Sequence, residues 1–209
     1  MSEAPLPNVV KPPSTEEAKV IFETYALAVG KVASAWNILH ERLGSLFVTI
    51  VGARTPDIAL AIWYSPDSDR VKQKMLKDVI ESYPSWQWTW FQNHPKAKDD
   101  LSWLLDRAMN LGDARNNAIH APVVLLTDDK GTEIVASFLS PHGRAKNLRG
   151  KEILVEFDWI ERWADELTRF TQRVNQALQD ASAPWPERPD KPNRKPRSTL
   201  GLPPRPRTE

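Results

Sequence analysis

A seam of apolar residues runs through the first quarter of the chain in alternating steps of four and three: Ala18, Phe22, Tyr25, Val29, Val32, Trp36, Leu39, Leu43, Leu46 and Ile50. A repeat of this kind keeps one face of a helix apolar along its length, and a strand, whose side chains alternate with period two, cannot satisfy it. The segment therefore predicts a helix which, unbroken, is roughly 50 Å long at ~1.5 Å per residue. That length suits a helical bundle. Ser14 with Glu17 three residues on forms a capping box at its start. The stripe reads either as bundle core or as the seam of a helix pairing with a second copy. Gly30 and Gly44 weaken the helix locally and mark a kink or a close crossing.

Further helices follow from the punctuation. Thr55-Pro56 places a capping residue before a proline at the first helical position, so a short helix is expected to run to Tyr64. Ser65-Pro66-Asp67 breaks it. The next helix carries Val71, Met75, Leu76, Val79, Ile80 and Tyr83 on one face and lysines on the other, and Pro84 ends it. The segment Trp86-Gln87-Trp88-Thr89-Trp90-Phe91 lies between Pro84 and Pro95 and reads as an irregular aromatic connector. It serves either as a packed loop or as a stacking platform for unpaired bases. Residues 97 to 121 form another major helix, with Leu101, Leu104, Ala108, Leu111 and Arg115 on its seam.

After Pro122 the pattern changes. Val123 to Leu126 and Thr132 to Leu139 flank Asp128-Asp129-Lys130-Gly131, a hairpin signature, and Ile153 to Phe157 is expected to add a third strand. The basic stretch between Pro141 and Gly150, with His142, Arg144, Lys146 and Arg149, reads as a solvated loop in preference to a ligand site. Asp158, with Glu161 three residues on, is expected to cap a last helix through Ile160, Trp163, Leu167, Phe170, Val174 and Ala177.

The ends differ from the middle. Residues 1 to 13 contain four prolines and are expected to be a disordered arm. Residues 184 to 209 hold eight prolines and seven Lys or Arg against three Asp or Glu, so residues 183 to 209 are expected to form a disordered basic tail. Such a tail adds attraction for RNA, docks into an aromatic groove, or only solubilises. One domain over residues 14 to 182 remains, with the β insertion at about 123 to 157, and a chain that is 41% hydrophobic can bury a core.

Composition excludes several chemistries. With no cysteine there is no disulfide framework, thiolate metal site or cysteine nucleophile, which fits a cytoplasmic setting. No apolar run approaches the ~20 residues needed to span a bilayer, and the start lacks a secretory pattern, so no membrane partner is expected. The four histidines are scattered without a His-x-x-x-His pair, and the eight glycines form no phosphate loop. No metal and no cofactor are expected.

Chemistry is concentrated in Arg115-Asn116-x-x-x-His120. Arg115 falls where the helix seam calls for an apolar residue, and burying a guanidinium is costly unless an ionic or strongly hydrogen-bonding partner compensates it. Asn116 and His120, four apart, nearly stack on a helix, whereas Arg115 and His120 diverge by roughly 140°. A long side chain, a frayed last turn or a second copy of the helix would bring them into one cleft. Histidine takes and gives protons near neutrality, with an unperturbed pKa of about 6.5. Arginine offers a charged fork that fits phosphate oxygens. Such a pair suits RNA cleavage, His120 moving the proton and Arg115 stabilising the charged transition state. Alternatively, His120 bonds to last-turn carbonyls and Arg115 pairs with Glu23, Glu41 or Asp78.

The run Arg115, Asn116, His120, late in a helix of a helical chain, resembles the HEPN superfamily (higher eukaryotes and prokaryotes nucleotide-binding). The likeness spans residues 14 to 182, but its specific motif is six residues long. It implies a mainly α fold, a four- to five-helix up-and-down bundle, here with a small β-hairpin or three-stranded insertion before the last helix. It also implies a homodimer with its cleft between motif helices, and in many members metal-independent endoribonuclease activity in toxins or defence effectors. Arg115, Asn116 and His120 then carry catalysis, RNA is the substrate, and an antitoxin or other regulator is an expected partner. Other members keep the fold without cleavage, which leaves a non-catalytic dimerisation or interaction module as the alternative. The β insertion and the proline-rich tail lie outside the minimal bundle.

Overall fold

The computed structural model describes residues 15–82, 93–128, 131–137 and 143–195. The first arm, Ser14, the aromatic connector and residues 196–209 lie outside them. The described chain is mainly helical: α1 (Thr15–Ile50), α2 (Pro56–Tyr64), α3 (Asp69–Ser82), α4 (Ala97–His120), β1 (Val123–Asp128), β2 (Gly131–Ala136), α5 (Gly143–Leu148) and α6 (Ile153–Gln179). Among these residues no helix is long and apolar enough to cross a membrane.

The chain divides into two compact units. The first draws on residues up to Lys31, on Asn116–Trp159 and on the chain from Arg194; the second consists of Val32–Arg115 and Ile160–Asn193. In the second unit the 3.5-residue seam is the core. Val32, Trp36, Leu39, Leu43, Leu46 and Ile50 are buried together with Leu76 and Ile80 of α3, Leu101, Leu104 and Leu111 of α4, and Trp163, Leu167, Phe170 and Val174 of α6. Two glycines permit the closest approaches. A Cβ on Gly44 would lie 2.9 Å from the Trp63 indole, and one on Gly112 would lie 2.9 Å from the Trp36 ring. Gly44 is thus a close crossing, whereas a Cβ on Gly30 would meet nothing within 4 Å.

In the first unit the early part of the seam packs more loosely. Phe22 is exposed, while Tyr25 meets Phe157 edge-on with centroids 5.6 Å apart. The hairpin is antiparallel, with Val123 opposite Ala136 and Asp128 opposite Gly131. Ser137 N–H extends it by donating to the Pro122 carbonyl at 2.8 Å.

Several expectations need correction. Residues 153–157 are the first turns of α6 and not a third strand, so the sheet has two strands among the described residues. Ile153 and Phe157 extend the helical seam of Ile160 back by two turns, and the Glu156 amide bonds to the Glu152 carbonyl at 3.0 Å. Asp158 is therefore inside the helix and does not cap it. The basic stretch before it contains α5, whose Ala145 and Leu148 are buried. On α3, Val71 is exposed and Gln73 buried, because the inward face is centred on Gln73, Leu76 and Ile80. Finally, residues 184–195 lack helix and strand as expected, yet they are anchored: Trp185 and Arg188 bond to Asp100, and Arg194 bonds to Glu156. Disorder does not describe that part of the tail.

Candidate functional site

All three residues of the motif lie on α4, which continues to His120. Arg115 belongs to the second unit, Asn116 and His120 to the first. Arg115 and Asn116 are half-buried, and His120, the last residue of the helix, is exposed. His120 also satisfies the preference of a helix C-terminus for a cation when it is protonated.

The second unit, to which Arg115 belongs, holds a polar cluster built around another histidine, whose protonation the Arg115 charge influences. His40 projects from the core seam of α1 beside Leu39 and is only 8% exposed. Gln73 of α3 places its Nε2 3.2 Å from His40 Nε2. An amide N–H donating there requires the imidazole proton on Nδ1, the side facing Asp69 Oδ1 at 3.5 Å. The Asp69 carboxylate in turn accepts the Trp36 indole N–H at 2.9 Å and lies 3.6 Å from Lys72 Nζ. Trp36 packs on the His40 ring at 4.5 Å between centroids. Gly112 completes the arrangement, since any side chain there would strike Trp36.

Electrostatics sets the protonation state. Burial pushes the His40 pKa down to about 4; Asp69 opposes the shift, and the charges of Lys72 and Arg115 add to it. His40 is thus neutral at physiological pH, and its contact with Asp69 is that of a dipole with a carboxylate, not an ion pair. Two cations, Lys72 (beside Asp69) and Arg115, thus reinforce the effect of burial on His40.

Among the described residues no group of three or more His, Asp or Glu side chains is placed to hold a metal ion. His40, Asp69 and Gln73 escaped sequence reasoning because they meet only in the fold, with Gln73 33 positions from His40. Their one local signal is polarity at inward positions, His40 beside Leu39 and Gln73 one turn before Leu76. No protein-family profile, no curated protein and no solved structure matches the chain.

Proposed function

We propose that this protein is an endoribonuclease that cleaves RNA without a metal, by attack of the ribose 2′-hydroxyl on the adjacent phosphate. The observation that carries the reading is the contrast between its two central histidines. His40 is buried, tied to Gln73 and held neutral, so it cannot exchange protons with a substrate. His120 is exposed, on the helix that also bears Arg115 and Asn116. An accessible imidazole and a guanidinium are the two groups that this reaction needs. In the proposal the P–O5′ bond breaks as the 2′-oxygen bonds to phosphorus, leaving a 2′,3′-cyclic phosphate and a 5′-hydroxyl; His120 takes the 2′-hydroxyl proton or gives one to the leaving 5′-oxygen, Arg115 stabilises charge on the phosphorane-like transition state and Asn116 orients the histidine or the phosphate. As in the superfamily that the motif resembles, the active species is a homodimer acting as a toxin or defence effector under a protein regulator.

The test is cleavage of single-stranded RNA by the purified full chain in EDTA. Activity should persist in chelator and fall by about 10²-fold or more in His120→Ala. Equal rates for the two proteins remove His120 from the mechanism, and activity that disappears with chelator removes the metal-free chemistry.

A second reading, a non-catalytic interaction module, is favoured by apolar side chains left in solvent on one face of α2, Ile58 at 63% and Ile62 at 49% exposure. It predicts that Arg115→Ala and His120→Ala leave function in cells intact.

A further inference from the structure

Asp100, in the first turn of α4, is 4% exposed. A carboxylate so placed must be compensated, and its partners come from a short stretch far along the chain. The indole Nε1 of Trp185 donates to Oδ2 at 2.7 Å, and Nε of Arg188 donates to Oδ1. The same two side chains make ring contacts. The Arg188 guanidinium lies 5.5 Å from the centroid of Trp103, and the Trp185 ring stacks on His94 at 5.0 Å. Pro186 between them is buried, and further along Arg162 of α6 donates to the Asn193 carbonyl at 2.8 Å. Prolines at 184, 186, 189 and 192 keep this stretch out of helix and strand.

We propose that the face of α4 bearing Asp100 and Trp103 is a recognition groove for proline-rich peptides carrying a tryptophan and, three residues on, an arginine, and that residues 184–193 are its ligand bound in cis. The anchors are of the kinds that dominate peptide and protein interfaces, Trp and Arg meeting aromatic and carboxylate partners. A proline-rich backbone loses little freedom on docking, so few anchors suffice. The ligand itself covers Asp100, and its departure returns the carboxylate to water, which makes the segment separable from the helical core. An open cleft of about 710 Å³, lined by Lys96 and Asp99 on one side and by Pro186 and Glu187 on the other, runs beside it. When the resident segment is released, the groove accepts the same chemistry from outside.

The test uses the full chain with a protease recognition sequence inserted between Ala183 and Pro184. After cleavage, a fluorescent peptide of residues 184–195 should exchange with the resident fragment while the helical circular dichroism is kept. The Arg188→Glu peptide should bind at least about ten-fold more weakly, having lost a charge-assisted hydrogen bond. Uncut protein should bind the labelled peptide at least about 100-fold more weakly, because the tethered copy competes at an effective concentration in the millimolar range. No binding of the labelled peptide to cut protein overturns the proposal, whether the resident fragment has left or is locked in place. Equal binding of the Arg188→Glu peptide, or loss of helical signal on cleavage, overturns it too.

Discussion

Replacing Gly112 by alanine should destabilise the protein, although the same change in a helix interior normally stabilises it. Alanine is favoured over glycine by about 1 kcal/mol in a helix. At Gly112, however, the new methyl group would sit 2.9 Å from the Trp36 ring, closer than real Cβ contacts. Trp36 cannot withdraw freely, because it is buried and its indole N–H is held by Asp69 at 2.9 Å. Overpacking of this kind costs about 1–3 kcal/mol. Gly30 supplies the control, since a Cβ there meets nothing within 4 Å and α1 is helical on both sides. The propensity gain is common to the two variants, so the difference in stability between Gly30→Ala and Gly112→Ala isolates the clash. That difference should be about 2 kcal/mol, seen as a lower urea midpoint and as a Tm lower by about 4–8 °C for a chain of this size. Equal stability of the two variants, or a more stable Gly112→Ala, would refute the packing of Trp36 described here.

Three further perturbations have definite expected outcomes. His40 is held near 4 in the folded protein against about 6.5 unfolded, so the unfolded state binds the extra proton between those values. The stability contributed by neutral His40 is complete above pH ~6.5 and declines as pH falls to about 4, a loss on the order of 3 kcal/mol. Urea titrations from pH 7 to pH 4 should show this slope, and His40→Leu should flatten it. Arg70→Ala should cost less than about 1 kcal/mol in the same assay, because the Arg70–Asp113 pair is solvent-exposed on both sides. Leu104→Ala, which empties a fully buried core position, should cost about 2–5 kcal/mol.

Most of the helical framework was legible because it rests on local rules. The four-three stepping of α1 and the Thr55-Pro56 start of α2 act within a few residues, as does the hairpin signal whose strands pair Asp128 with Gly131, and each of these helices and strands lies where its signal stands. The start of α6 was misread because Ile153, Val155 and Phe157 alternate like a strand, while the competing helical spacing of Ile153, Phe157 and Ile160 belongs to a longer seam. Residues 184–195 were misread for a related reason. Proline content describes what the backbone cannot form, not what its side chains can hold, and the tryptophan within the prolines was the available sign of an anchor. The motif residues Arg115, Asn116 and His120 stood out because they interrupt an apolar pattern. The cluster around His40 did not, because Asp69, Gln73 and Trp36 reach it only through tertiary packing. The electrostatic setting of Arg115 was therefore invisible before the fold.

The proposed chemistry is tested most directly by the ends it leaves on RNA. Single-stranded RNA incubated with the full chain in EDTA should yield fragments ending in a 2′,3′-cyclic phosphate, and a 2′-O-methyl group at the cut position should abolish that cut. Cleavage that tolerates the 2′-O-methyl substrate, or products carrying a 3′-hydroxyl, would contradict the account.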